Sequence, residues 1–375
     1  MVLIFPDDWD DVLRILKPSM DSGVRIVVLG NKAVGKSTFI RFLVTKLGAR
    51  ICRMETDCGQ PDFSPPGVLN LSVLSDPDRV QVVSQRYLGF VTPSADPIAY
   101  VECVEKLCID YEKTLAGTPL VVNLHGWNIG IGAKTYEAVV QVVKPDFVIH
   151  IGGSKDDASF AIEALNPFTS VPLAVPTPVW YGLSPVICLT DDEEGRNLSS
   201  MKARDKRWVK FASHFRPDLV IRKEYKSSHP SDFFVPPFSR LLTIPKSKVA
   251  VKFLHAQIFP RDPFGNIENL IVGLCNSGSG QCVCLGFVSS ADGENVYVLI
   301  PPNVLKTFTD SVDQIWRGEM NWSPREQICF NGKTTSTDFT SNPDGEPFFL
   351  TNVLVDSDLA KTASTRTNLA RKRLS

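Results

Sequence analysis

No stretch of this 375-residue chain approaches the roughly 18 consecutive apolar residues needed to cross a bilayer. No basic segment precedes the short apolar start of MVLIFPDDWDD, which turns acidic at once, so a secretory signal is not expected. Charge of one sign is not in excess either: 40 Lys and Arg face 41 Asp and Glu, a formal net charge of −1. That excludes coating nucleic acid by bulk charge, so any such contact has to come from a local basic cluster. The cysteines (Cys52, Cys58, Cys103, Cys108, Cys188, Cys275, Cys282, Cys284 and Cys329) form no C-x-x-C pair and no regular framework. We expect reduced, mostly buried thiols in an intracellular protein, without zinc. Cys282 and Cys284, two apart in a β-like run, are expected on one face of a strand.

What is present divides the chain by pattern. Residues 1–22 read as a lead-in helix, with Trp9, Val12, Leu13 and Leu16 on one face. From there to about residue 190, apolar runs alternate with helical patterns. The runs are 24–29, 50–56, 120–123, 147–151 and 186–189. The helical patterns are Ile98, Val101, Val104, Leu107, Cys108 and Tyr111, and residues 133–143. This alternation predicts an α/β fold with a parallel sheet between helices. An acidic loop and a charged helix follow, the helix carrying Trp208, Phe211 and Phe215 on its apolar stripe. After about residue 240 short strands and turns such as Ala291-Asp292-Gly293 predict a smaller β-rich C-terminal domain. The expected division is a lead-in (1–22), an α/β domain with a lid (23–216), a β-rich domain (217–356) and a disordered tail (357–375).

The segment that carries chemistry is VRIVVLGNKAVGKST, which fits G-x-x-x-x-G-K-[ST] between an apolar strand and an amphipathic helix. Gly30 and Gly35 let the backbone bend tightly and approach phosphate closely. The backbone N–H groups of Asn31, Lys32, Ala33, Val34 and the helix start, with Ser37 and Thr38, are the expected nucleotide cradle. Lys36 places a charge on the terminal phosphates, and the Ser37 hydroxyl is the expected Mg²⁺ ligand. No D-x-x-G and N-K-x-D pair marks a translation-type GTPase, since Asn31-Lys32 lies inside the loop itself. The run 120–123 ends in Asn123 rather than the acid of an ATPase motor; the acids, Glu55 and Asp57, end the second strand instead. In doubly wound sheets strand C-termini line the ligand crevice. Asp57 is therefore either a group that faces the phosphates, assists Mg²⁺ or takes a proton from an attacking hydroxyl, or an ordinary turn aspartate before Gly59. The first set suits a kinase.

Five segments in order resemble the polynucleotide 5'-hydroxyl kinase family. METDCGQPDFSPPGVLNL (54–71) is similar to its D-x-G-Q-x-E-F-x-P-P-G segment, GFVTPSADPIAY (89–100) to its clasp, and PLVVNLHGWNIGIG (119–132) to its P-L-V-V-N-T-x-G-W segment. ARDKRWVKFASHF (203–215) resembles its arginine-bearing lid. FPDDWDDVL (5–13), with the P-D-F-S-P-P-G ending, favours the nucleolar branch that processes pre-ribosomal RNA.

The resemblance implies ATP and Mg²⁺ at Gly30–Thr38, and an RNA 5'-OH end as acceptor. It implies Asp57 as the carboxylate that orients or deprotonates the 5'-hydroxyl and shares the metal with Ser37. Gln60, Thr92 and Trp127 would contact the substrate, and Arg204 and Arg207 would be lid arginines at the transferring phosphoryl group. It also implies a partner endonuclease and a nuclear, nucleolar location. Each residue has a plainer reading: Trp127 as core, Gln60 as a turn residue, Thr92 as a strand end, the arginines as a solvated helix face. His125 and His150 are read as structural, and Arg371-Lys372-Arg373 as a nuclear signal or a solubilising end. Two departures stand out. The threonine after the family's Asn is Leu124 here, and only about 29 residues precede the P-loop where the family usually carries a β-rich domain. They motivate a second expectation, an ATP-bound non-catalytic scaffold of an RNA-processing complex. A third is a small-molecule or nucleoside kinase.

Overall fold

The computed structural model describes residues 7–32, 34–48, 50–76, 79–127, 129–151, 169–173, 207, 210–211, 214–215, 240–254, 260–268, 270–301, 304, 306–320, 329–330 and 333–334. Helix α1 (Asp7–Leu16) and a 3-10 turn (Lys17–Ser22) lead into strand β1 (Arg25–Gly30) and helix α2 (Lys36–Leu47). Then come β2 (Ile51–Glu55), β3 (Val68–Asp76), β4 (Arg79–Tyr87), α3 (Pro97–Thr114), β5 (Leu120–Asn123), α4 (Ile131–Val143), β6 (Phe147–Ile151) and β7 (Thr169–Leu173). The sheet order is β4-β3-β2-β5-β1-β6-β7. Strands β2, β5, β1, β6 and β7 run parallel. Strands β1 and β5 are largely apolar, β2 apart from Arg53 and Glu55 and β6 apart from His150 are too, and two buried cores lie against the sheet, one on each side.

Two features differ from the pattern in the sequence. The hairpin β3–β4 adds two antiparallel strands at one edge. Run length does not announce it, because its apolar residues alternate with Asn70, Ser72 and Ser84, as in a strand whose two faces meet different surroundings. The parallel strand beyond β6 is β7, while residues 186–189 lie outside the described residues. On α3, the expected stripe is buried from Val104 through Tyr111, but Ile98 is 74% exposed, and Tyr100 turns inward in its place.

The lead-in helix fixes the P-loop helix. Trp9 is fully buried and meets the Phe39 and Phe42 rings of α2 edge-on, at 5.1 and 5.4 Å between centroids. Leu16 and Met20 complete that contact. Trp9→Ala is expected to cost about 3–5 kcal/mol of stability. Denaturant titration measures it, and a loss under about 1 kcal/mol would show α1 to be dispensable.

A second, six-stranded sheet contains β8 (Arg240–Pro245), β9 (Ala250–Phe253), β10 (Ile271–Asn276), β11 (Gln281–Ala291), β12 (Asn295–Ile300) and β13 (Gln314–Arg317), in the order β8-β12-β11-β10-β13-β9. It is antiparallel except for β13 with β9. A bulge opposite Leu274/Cys275 reverses the alternation in β11. Cys282 therefore faces the first sheet with Cys275, and Cys284 faces the inner core with Leu274 and Val298, which corrects the expectation of a shared face. Short elements α5 (Lys306–Thr309) and the pair β14 (Cys329–Phe330) and β15 (Lys333–Thr334) follow. The sheets share a core. Tyr87 lies against Gly273, where a Cβ would come within 2.5 Å of the ring, and Arg86 donates to the Ser279 carbonyl at 2.8 Å. Phe211 and Phe215 are buried in the same cluster. The expected tail, residues 357–375, lies outside the described residues.

Candidate active site at the C-terminal end of the parallel sheet

The P-loop begins where β1 ends. Gly30 has φ +145°, and a Cβ there would come within 2.4 Å of the Ile151 carbonyl oxygen. Gly35 caps α2 at φ +101°. Both conformations favour glycine. Asn31 and Lys32 are exposed, Val34, Ser37 and Thr38 are half-buried, and Ala33 lies outside the described residues. The Lys36 ammonium is buried and donates to the carbonyls of Gly30 and Asn31, each at 2.9 Å. Burial lowers its pKa, and the Asp57 and Glu55 carboxylates push it back up. The P-loop lysine and the acids ending β2 therefore share one electrostatic site.

Asp57 sits in a turn that its own side chain builds. Its Oδ1 accepts from the backbone N–H groups of Gly59 and Gln60, both at 2.9 Å. That leaves Oδ2 for another partner. Gly59 presses on the Val91 carbonyl, where a Cβ would come within 2.7 Å, so the Asp57 turn and the segment before Thr92 are in contact. Thr92 itself is exposed and exchanges a hydrogen bond with Ser94 at 2.8 Å. Gln60 is half-buried, and its buried Nε2 has no partner among the described residues. Trp127 is half-buried over Gly132, where a Cβ would come within 2.6 Å of the indole. Gly126 brings this loop onto the P-loop: a Cβ there would come within 2.7 Å of the Lys32 nitrogen. Arg207 is helical and within electrostatic reach of Cys58, beside Asp57. Arg204 lies outside the described residues.

Sequence reasoning missed the polar network beneath the site. Arg53 and Glu55, both fully buried, point the same way from β2 and form an ion pair. Arg53 also reaches Asp62 at 2.9 Å and lies over the Phe63 ring at 4.8 Å. Glu55 accepts from the Asp57 nitrogen at 3.2 Å, the Asp62 nitrogen at 3.4 Å and the Asn123 amide at 2.7 Å. Burial pushes the Glu55 carboxyl up and Arg53 pulls it down. Burial would raise Asp62 too, but Arg53, Arg41 and Lys210 outweigh it and bring its pKa down to about 2. Lys210, helical like Arg207, donates to the Asp62 carbonyl at 3.5 Å. Two charges at i and i+2 of an otherwise apolar strand were the available signal, because that spacing puts both on one face.

His125 is buried among Tyr100, Tyr136 and Trp127. Burial lowers its pKa to about 3, with Lys36 adding to the shift. Its Nδ1 accepts from the Trp127 nitrogen at 3.1 Å, which makes it the neutral tautomer protonated on Nε2. His150 is buried in β6.

The oxygens present suit Mg²⁺, which binds through few protein oxygens plus phosphates and water. Ser37 and Asp57 offer a hydroxyl and a carboxylate oxygen at the phosphate loop, and no cluster of three or more His, Cys, Asp or Glu is found among the described residues.

Residues 30–179 match the family model described as the mRNA cleavage and polyadenylation factor CLP1 P-loop. A polynucleotide 5'-hydroxyl-kinase NOL9 from Arabidopsis thaliana is 26% identical over 84% of this chain and 90% of its own length. Polynucleotide 5'-hydroxyl-kinases GRC3 from Gibberella zeae and Saccharomyces cerevisiae are 29% and 32% identical over 45% and 40% of this chain. The chain spans about a quarter of the length of these two fungal relatives, 27% in each case. A solved structure of the wild-type Clp1p–Pcf11p complex superposes with a TM-score of 0.57 over 84% of this chain and 78% of that one, at 12% identity, which establishes a common fold. From residue 30 to residue 179 the chain is thus similar to the CLP1 P-loop, and it resembles the GRC3 and NOL9 polynucleotide 5'-hydroxyl kinases.

Proposed function

We propose that this chain is an ATP-dependent kinase that phosphorylates the 5'-hydroxyl end of RNA in pre-ribosomal RNA processing, in the nucleus and the nucleolus. The observation that carries the reading is the convergence of the Lys36 ammonium and the Asp57 turn at one end of the parallel sheet. The names of the relatives support transfer to a 5'-hydroxyl over a scaffold role.

The P-loop N–H groups and Lys36 bind the triphosphate. Ser37 and Asp57 would hold Mg²⁺, which would supply positive charge to the triphosphate. Asp57 Oδ2 accepts the proton of the 5'-hydroxyl as its oxygen attacks the γ-phosphorus in line, and ADP leaves. Arg204 and Arg207 steady the transferring group from the lid, while Gln60, Thr92 and Trp127 position the RNA end. A partner endonuclease generates that end.

The test is transfer of labelled γ-phosphate from ATP to a 5'-OH RNA oligonucleotide, with a matched DNA oligonucleotide and free nucleosides as competing acceptors. Label on RNA is expected. Label on nucleosides alone would establish a small-molecule kinase, and ATP binding with no labelled acceptor, partner present or absent, would establish a scaffold.

A further inference from the structure

Asn123 ends β5, the place where an ATPase motor carries an acid. It is 2% exposed and sits between the P-loop and the acids of β2. Its Nδ2 donates to Glu55 Oε1 at 2.7 Å and lies 3.5 Å from the Ser37 hydroxyl oxygen. Among the described residues the hydrogen-bond partners of Glu55 are all donors: the Arg53 guanidinium, the Asp57 and Asp62 nitrogens and this amide. A carboxylate so surrounded can only accept, so the Asn123 nitrogen must face it and Oδ1 must face away. That Oδ1 is buried and has no hydrogen-bond partner among the described residues. Buried carbonyl oxygens normally find a donor. One arriving with the nucleotide, next to Ser37, would supply it.

We propose that Asn123 is a positioning residue for the metal. Its Oδ1 accepts a hydrogen bond from a water on the Mg²⁺ that Ser37 ligates, and Glu55 holds the amide in the orientation this requires. A neutral acceptor suits the place, because Glu55 and Asp57 already bring two carboxylates together and a third would repel them. Glu55 then serves both halves of the site, the metal through Asn123 and the acceptor side through the Asp57 nitrogen. The inference rests on the reading of the P-loop as an ATP and Mg²⁺ site.

The experiment is a Mg²⁺ titration of the full chain with bound fluorescent ATP, with a parallel ATP titration in EDTA. Asn123→Ala is expected to weaken Mg²⁺ affinity about 10- to 100-fold, the usual cost of losing an outer-shell partner, with metal-free ATP binding unchanged. Glu55→Gln, which keeps the volume but lets the amide turn over, is expected to act in the same direction and decides the question if the alanine variant does not fold. Unchanged Mg²⁺ affinity, an equal loss of ATP affinity with and without Mg²⁺, or a wild-type protein whose ATP binding ignores Mg²⁺ would each overturn the inference. A wild-type protein that binds no ATP would overturn the nucleotide reading as well.

Discussion

Asp57→Asn is expected to slow phosphate transfer to a 5'-OH RNA by about 10²- to 10⁴-fold, the usual contribution of a general base, while metal-free ATP binding stays near wild type. The substitution is close to isosteric. The asparagine carbonyl can still accept from the Gly59 and Gln60 nitrogens, so the turn that Oδ1 builds is kept. What is lost is the second oxygen, which becomes an NH₂ group unable to take a proton. Single-turnover transfer measured beside nucleotide binding separates the two effects. Transfer within about threefold of wild type would sink the base assignment and leave Asp57 a turn residue.

Arg53→Met is expected to cost about 3–5 kcal/mol of stability, because it strips two buried carboxylates of their shared cation. Arg53 and Glu55 are fully buried, and Asp62 is 16% exposed. The sign of the pH dependence follows from Asp62. Its folded pKa, about 2, lies below its ordinary value, so wild type gains stability above about pH 4 and loses it as pH falls toward 2. The variant lacks the first of the three cations that hold that pKa down, leaving Arg41 and Lys210. The stability gap between wild type and variant should therefore shrink steadily from pH 5 to pH 2, as followed by urea titration at each pH. A gap that stays constant would show that the pair is not the source of the effect.

Much of this was legible in the residues. The strands at 25–30, 120–123 and 147–151 are written in apolar runs because both their faces are covered, the strand at 51–55 in a run broken by Arg53 and Glu55, and α1, α3 and α4 in three-and-four spacing. The P-loop was legible because its glycines, lysine and serine each answer a local backbone or charge requirement. The hairpin β3–β4 was not, since one alternating strand resembles a loop until its partner is known. The bulge that parts Cys282 from Cys284 is likewise set by pairing with β10. The network of Arg53, Glu55, Asp62, Asn123 and Lys210 joins residues up to about 150 positions apart, and no local spacing encodes such a meeting.

The contact between the sheets bears on which sequences can be exchanged in this lineage. Gly67 closes the segment that begins with Asp57, its nitrogen donating to the Cys58 carbonyl at 2.8 Å, and a Cβ on it would come within 2.0 Å of the Met320 sulfur. A Cβ on Gly89 would come within 2.8 Å of the Gly318 Cα, and the Glu319 nitrogen donates to the Gly89 carbonyl at 2.9 Å. Residues 318–320 therefore act as the outer wall of a mould whose inner wall carries the Asp57 turn. A C-terminal half recombined from another branch would fit only if it brought an equally thin edge to these two glycines. Harmful variants at those distant positions would then read genetically as defects of the Asp57 turn, although they touch no nucleotide.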